Sequence, residues 1–503
     1  MTRMKYTVPI TKDLINSYIP LSNDDVHLYR QCQLYNTTSV TVDNSSLVGC
    51  NEWVYEQTTF YKTFTSQENL VCDDALKTSH AQMVFYFGVL VGDLGFGMLS
   101  DHIGRKKTFM ITAVLLLVSG LGASWAPEFY SFAVLEFIIG AAIHGAFMIC
   151  CVLGVELVGP KKRVYAGVPI HMFFTIGLFY LTACAYFFRD WFTVQIAVSA
   201  PCVMYLAYWW LIPESPRWLI SKERYTEAES ILHTAAKANK VVLPEKIVDS
   251  KTIESAKEGR LWHLFTSRIL FFRTIVIFWN WAVISMVYYG VTMHTGNLGG
   301  NWYFNFFILA LVEIPAVLSC IFLLDRMGRK KLHCLCMFVA GFSCLGTIFP
   351  VLFGGDELQP LTLTLAVMGK FGSAAAFSVV YIFSLELYPT IVRNGGMGAS
   401  SCVARFGGMA APYIAKLGDL VSGKFGQALP LVVFGACSVS AGLLALMLPE
   451  TLNKKLPDSI KDAEKFGVLK DTKVEDIIYI DDPEKDKELE KKDTTEIGNG
   501  IKY

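Results

Sequence analysis

The chain is short of charge. Only 17% of its 503 residues are Asp, Glu, Lys or Arg, against about 25% in soluble domains, which argues against an ordinary water-soluble globular protein. It is also short of net charge. Its 44 basic residues match 44 acidic ones, so overall charge points to no nucleic-acid partner. Residues 1–79 hold no signal peptide and no apolar run long enough to insert into a bilayer. A Gly-x-Ser-x-Gly elbow, a His-Glu-x-x-His pair and a Walker loop are all missing, which leaves hydrolase, zinc-protease and nucleotide-driven pump chemistry without support. No catalytic residue, metal or cofactor is expected.

What the chain has in excess is hydrophobic residues, 53% of the total. They gather in runs of roughly twenty, enough to cross a hydrocarbon core of about 30 Å as helices. Eleven spans are predicted, near 80–99, 108–126, 129–156, 164–187, 191–212, 269–292, 301–324, 332–354, 361–386, 391–415 and 426–448. The expected fold is therefore an all-α polytopic membrane protein.

Its short loops alternate in charge. GRKK (104–107), GPKKR (159–163) and DRMGRKK (325–331) are basic, whereas TGNLGGNW (295–302) and FGGDELQP (353–360) carry no Lys or Arg. The positive-inside rule puts the basic loops in the cytoplasm and residues 1–79 outside. That segment holds glycosylation sequons at Asn36 and Asn44 and three cysteines, Cys32, Cys50 and Cys72, an odd number that leaves one unpaired. The other ten cysteines lie in or near the spans and read as small packing residues.

The two halves echo one another. Asp101-x-x-Gly104-Arg105-Lys106-Lys107 recurs as Asp325-x-x-Gly328-Arg329-Lys330-Lys331, and Pro213-Glu214-Ser215 as Pro449-Glu450-Thr451. Glu156 and Arg163, flanking Pro160, are echoed by Glu386 and Arg393, flanking Pro389. Three echoes in one order mark an internal repeat of the kind transporters carry. The expected division is an extracellular glycosylated loop (1–79), an N-terminal bundle of five spans (80–212), a cytoplasmic loop with short amphipathic helices (213–268), a C-terminal bundle of six spans (269–449) and a disordered cytoplasmic tail (450–503).

At these residues the chain resembles the major facilitator superfamily. GMLSDHIGRKK (97–107) is similar to its signature loop G-x-x-x-D-[RK]-x-G-R-[RK]-[RK], with His102 in place of the usual base. PESPRWL (213–219), PETLNKKLP (449–457), ENLVCD (68–73), VLGVELVGPKKR (152–163), VYYGVTMHTGNLGG (287–300) and GKFGSAAAFSVVYIFSLELYPTIVRN (369–394) narrow the resemblance to the organic cation, anion and carnitine transporters. The insect organic cation transporter-like and carnitine transporter-like branches fit best. The resemblance implies two pseudo-symmetric helical bundles and twelve spans. The first of the twelve, ahead of the extracellular loop, is missing from the eleven predicted here.

Charges inside the spans are the candidate site. Arg405 lies twelve residues from Arg393, or ~18 Å along a helix, and Glu313 lies twelve from both Asn301 and Asp325. Both are expected at mid-depth, where a lone charge costs roughly 2.5–3.5 kcal/mol. Each must face a watery cavity or a partner: one another, backbone carbonyls, or a substrate. By the resemblance, a base at position 405 marks anion- and carnitine-handling members, and a guanidinium grips a carboxylate through paired hydrogen bonds. Glu313 would draw a cationic group. Tyr288, Tyr289, Phe377 and Tyr381 offer aromatic faces to a quaternary ammonium. Lys370, nearer the outer third, Asp93, about one turn above the cytoplasmic loop, and Glu136 are further intramembrane charges, and His144 and His171 are read as buried neutral histidines in preference to proton-relay groups. Asp101, Arg105, Glu156, Arg163, Asp325, Arg329, Glu386 and Arg393 are expected to gate the cytoplasmic side.

The function expected is a plasma-membrane carrier of small organic ions, a cation or a zwitterion such as carnitine, working by alternating access. An organic anion transporter, a sugar porter and a non-transporting membrane sensor are the alternatives. Sugar porters share the GRKK and PESPRWL loops, but Tyr288-Tyr289-Gly290 and Arg405 point away from them. The partners expected are the substrate and the lipid bilayer. A coupling ion is not assigned.

Overall fold

Helices form wherever the apolar runs were found, because a backbone in hydrocarbon must satisfy its own polar groups. They are α1 (Leu76–Ile103), α2 (Arg105–Ser124), α3 (Phe129–Leu157), α4 (Arg163–Phe188), α5 (Trp191–Leu211), α6 (Arg268–Met293), α7 (Trp302–Met327), α8 (Arg329–Phe353), α9 (Gln359–Leu387), α10 (Arg393–Ala415) and α11 (Lys424–Ala445). The structure, a computed structural model, describes residues 19, 32–35, 47–157, 163–241, 261–297, 300–421, 423–454, 456–457 and 459–466, with only the backbone of 163–171. Asn36, Asn44, the side chains of Arg163 and His171, and residues 467–503 lie outside the described residues.

Among the described residues, nine of these helices are long and apolar enough to cross a membrane. The other two stand where spans were predicted. In α4 the apolar part is Met172–Phe188. In α10 the Gly/Ala/Ser-rich sequence and Arg405 lower the hydropathy, although the helix is continuous from Arg393 to Ala415.

Two breaks shape the interior. Helix α7 is interrupted at Val312, where Pro315 removes the donor that Leu311 would accept from, and its second part restarts at Glu313. Helix α8 breaks at Thr347, ahead of Pro350.

Close backbone contact sets the site. Helix α1 runs against α3 along small residues, and a Cβ added at Gly92 would lie 2.3 Å from the Ala141 carbonyl oxygen. Helix α10 meets α6 the same way: a Cβ at Gly407 would lie 2.0 Å from the Ala282 oxygen. Only glycine permits such seams, which let helices associate by packing alone in lipid.

The hydrophobic core belongs mainly to the C-terminal half, where Trp281, Met337, Phe383 and Phe434 are almost fully buried. The N-terminal half has a small cluster around Phe109, Ala146 and Ile149. Short helices at Pro216–Ser221 and Tyr225–Ala238 follow α5.

The expected disorder from residue 450 onward needs correction at its start. A helix at Ile460–Lys465 is capped by Ser459 and docks on α6, where Arg273 donates to the carbonyls of Ala463 and Phe466 at 2.6 Å each. Ahead of α1, strands Gln33–Tyr35 and Leu47–Gly49 pair antiparallel, and a Cys32–Cys72 disulfide leaves Cys50 as the odd thiol.

Candidate functional site

The glycine seam at Gly92 brings the next residue, Asp93, against His144, one turn along α3 from Ala141. His144 Nδ1 is 2.6 Å from Asp93 Oδ1. The other oxygen, Oδ2, accepts from Arg405 Nε at 3.2 Å. Arg405 therefore holds Asp93, a residue of the opposite bundle, and both side chains are more than nine-tenths buried. This pair crosses between α1 and α10.

Glu313 has a different partner. Its Oε1 lies 3.0 Å from Lys370 Nζ and accepts from the Tyr288 hydroxyl at 2.5 Å. Lys370 also donates to Thr292 Oγ1 at 2.9 Å and stands 3.2 Å from the centre of the Tyr288 ring. The two mid-depth charges expected to share a site are thus not paired with one another. Each is neutralised by a group the sequence reading had noted separately, Asp93 for Arg405 and Lys370 for Glu313. The available signal was that each partner was itself an intramembrane charge of opposite sign. Lys370, placed nearer the outer third by its sequence position, reaches the level of Glu313.

Between the two pairs lie the aromatic residues. Tyr289 contacts Tyr86 at 4.9 Å and Tyr288 at 5.1 Å, Phe377 contacts Tyr288 at 5.7 Å, and Tyr381 contacts Phe377 at 5.8 Å and Trp281 at 4.5 Å. Tyr289 and Tyr381 both lie within electrostatic reach of Arg405. All four predicted aromatics are therefore gathered into one cluster beside the guanidinium. The adjacent Tyr288 and Tyr289 in α6 and the four-residue spacing of Phe377 and Tyr381 in α9 carried that signal.

Glu136, which had no account in the sequence, faces a cavity of about 380 Å³ that also takes in Phe85, Tyr86, Phe132 and Met293. The cavity lies at the disulfide-bearing end of the molecule and touches the aromatic cluster through Tyr86.

At the basic-loop end the expected gate residues form two matching groups. Arg105 pairs with Asp101 at 2.9 Å and with Glu156 at 3.4 Å. Arg329 pairs with Asp325 at 3.2 Å and with Glu386 at 3.1 Å. Each group closes on its own bundle. Arg393 stands apart, its Nε donating to the Tyr388 carbonyl.

Sequence reasoning missed the carboxylates that organise these corners. Glu214 accepts from the backbone N–H of Arg105 (2.9 Å) and Lys106 (3.2 Å) at the start of α2. Glu450 does the same for Arg329 (2.8 Å) and Lys330 (3.4 Å) at the start of α8. An anion is stabilised at a helix N-terminus by its free N–H groups and dipole. The Pro-Glu-Ser/Thr echo was their signal.

The contacts between bundles gather at the other end. Ser79 donates to the Pro412 carbonyl at 3.3 Å, and Lys416 donates to Thr78 at 2.5 Å and to the Ala75 carbonyl. Tyr303 donates to the Thr59 carbonyl at 2.6 Å, while Phe179 meets Phe307 at 5.1 Å and Tyr186 meets Tyr303 at 5.3 Å.

Residues 44–459 match the family model described as sugar (and other) transporter. The chain is 39% identical over 474 residues to an organic cation transporter protein of Drosophila melanogaster, covering 92% of this chain and 81% of that one. It is 35% identical over 426 residues to solute carrier family 22 member 3 of Mus musculus, covering 84% and 76%. An inward-open structure of the xylose transporter XylE from E. coli superposes with a TM-score of 0.57 at 15% identity, covering 79% of this chain and 91% of that one.

Proposed function

Since the chain belongs to the major facilitator superfamily, in the branch that holds the organic cation transporters of solute carrier family 22, we propose that the small organic ion it transports is a zwitterion such as carnitine or a related betaine. The protein is a multi-pass membrane transporter. Its working cycle in this reading is alternating access between the α1–α5 and α6–α11 bundles.

One observation supports the substrate reading above the rest: a buried guanidinium, Arg405, at mid-depth between the bundles and beside an aromatic cluster. A substrate carboxylate would displace Asp93 and take two parallel hydrogen bonds from Arg405. A quaternary ammonium would then rest on Tyr289, Phe377 and Tyr381, each face worth about 0.5–2 kcal/mol. The face of Tyr288 is occupied by Lys370 and its hydroxyl by Glu313. Glu313 would serve by holding Lys370, and would meet a substrate cation only by exchange with it. An organic anion is the second reading, favoured by the same arginine.

Residues 1–79 are read as extracellular and the basic loops as cytoplasmic, at the plasma membrane. Loop charge supports this, as does a Cys32–Cys72 disulfide, which needs an oxidising compartment. With the bundles joined at the disulfide end, the conformation corresponds to a carrier facing the cytoplasm. Arg105 and Arg329 then act as corner pins of their own bundles in this state.

The test is uptake of labelled carnitine, tetraethylammonium and an organic dicarboxylate by cells expressing the chain, with Arg405→Ala alongside. Carnitine uptake should fall at least tenfold in the variant. Full uptake in Arg405→Ala would remove the role of Arg405, and ligand binding without accumulation would favour a sensor.

A further inference from the structure

Asp93 has two suitors of different kinds. Arg405, from the opposite bundle, carries its charge permanently. His144, from the same bundle, is positive only when protonated, and its Nδ1 already lies 2.6 Å from the carboxylate. We propose that Asp93 and His144 form a proton-binding site that couples transport of carboxylate-bearing substrates to protons. The proposal rests on the reading of Arg405 as the carboxylate-binding group.

The charges decide the order of events. In the empty carrier Arg405 neutralises Asp93, and a neutral His144 donates from Nδ1, so the group as a whole carries no net charge. When a substrate carboxylate takes the guanidinium, Asp93 is left as a buried anion inside the spans with no cation beside it, a costly arrangement. A proton from water, bound at His144 Nε2, turns the imidazole into an imidazolium and gives Asp93 a cation partner again at 2.6 Å, whether the substrate is a plain carboxylate or a zwitterion whose ammonium rests on the aromatic cluster. Nδ1–H remains on Asp93 throughout. No covalent bond of the substrate changes, and the proton leaves on the far side when the substrate releases Arg405 and Asp93 recovers it. Substrate and proton therefore load together and unload together, as a symporter requires.

The remaining neighbours do not supply the missing charge. The groups within electrostatic reach of Asp93 are Tyr289 on α6, Tyr381 on α9 and Cys402 on α10, besides His144 on α3 and Arg405 on α10. The tyrosines and the cysteine become anions, not cations, when they titrate. Lys370, the other buried base, is committed to Glu313. Of these neighbours His144 is the one that gains positive charge by taking a proton.

The experiment uses the purified full chain in proteoliposomes, with labelled carnitine and labelled succinate as probes. Counterflow at equal pH measures substrate recognition without a proton gradient. Accumulation is then measured with the outside at about pH 6 and the inside at about pH 7.5. One proton per substrate would give up to about 30-fold accumulation over equal-pH vesicles, since each pH unit is a factor of ten. Tetraethylammonium, which has no carboxylate, should show no such response. His144→Gln keeps a donor toward Asp93 but cannot take the second proton, and Asp93→Asn removes the anion. Both should drop to the equal-pH level while counterflow stays measurable, a split that misfolding or a packing role would not produce. If wild type shows counterflow but no gradient response, or His144→Gln keeps the response, proton coupling is overturned and the substrate reading stands. If wild type shows no counterflow of either probe, the substrate reading falls and the proton site with it.

Discussion

The two bundles are built to one plan at the basic-loop end and to different plans inside. At the loops, Gly104 and Gly328 both have positive φ (+106° and +89°), and each opens a helix whose first N–H groups are capped by a glutamate from the end of the same half, Glu214 or Glu450. In the interior the likeness ends. The C-terminal half buries Lys370 against Glu313, Asn280 against His333 (2.9 Å), and Trp281 against Ser384 (2.9 Å), all packed in one large apolar core. The N-terminal half contributes Asp93, His144 and Glu136 around thinner packing. The loop frame serves both halves alike, whereas the interior differs, with Arg405 on one side and Asp93 and His144 on the other.

The interior contrast can be broken most severely at Lys370. Lys370→Met leaves Glu313 charged with only the Tyr288 hydroxyl and no cation beside it, which costs about 3–5 kcal/mol for a buried ion pair stripped of one member. Thermal unfolding of the detergent-solubilised protein should show a large drop, and Lys370→Met with Glu313→Gln should recover most of it. A double variant as unstable as the single would mean the pair is not what holds this region.

Acid should loosen the C-terminal half through His294, just beyond α6. Burial holds its imidazole neutral and pushes its pKa down to about 4. The unfolded imidazole takes its proton near pH 6.5, so stability is full above that value, declines as pH falls toward 4, and levels off below. The total is roughly 3 kcal/mol. His294→Gln should flatten the difference in melting temperature between pH 7.5 and pH 5.

Matched substitutions test the symmetry of the loop frame. Gly104→Ala and Gly328→Ala each force a side chain into a positive-φ position, where the new Cβ would lie 2.4 Å from Glu214 Oε2 or 2.6 Å from Glu450 Oε2. Each should cost about 1–3 kcal/mol and slow carnitine uptake to a similar degree. A large effect in one half alone would show that the halves are not equivalent there.

The smallest effect is expected at Glu136, which among the described residues has no hydrogen-bond or ion-pair partner. Glu136→Gln should leave the melting temperature unchanged or slightly raised, within about 1 kcal/mol. A marked loss would reveal a partner for it.

Much of this was legible in the sequence, because membranes restrict the choices. Apolar runs located all eleven helices, and the repeat located both halves of the loop frame. The twelve-residue distance from Arg393 marked Arg405 as lying well inside its helix, and the structure buries it. What was not legible was pairing between distant helices. Nothing local in VGDLG or in AAIHGAF says that Asp93 meets His144, since that depends on how closely two backbones approach at Gly92. The partner of Glu313 was hidden likewise, because Lys370 reaches it across two helices with a long, flexible side chain. The capping glutamates were visible as an echo, but their target was peptide N–H, which leaves no mark in the sequence.

That last choice of target bears on how the signature loop tolerates change. Glu214 and Glu450 grip main chain, so the identity of most neighbouring side chains drops out of the interaction. One base can replace another at Lys106 or Lys330 without loosening this grip, because the contact is to their peptide N–H. Change in the loop is thereby separated from change in the fold: the corner depends on the glycine and the distant glutamate, and on the side chains of the basic run only through Arg105 and Arg329.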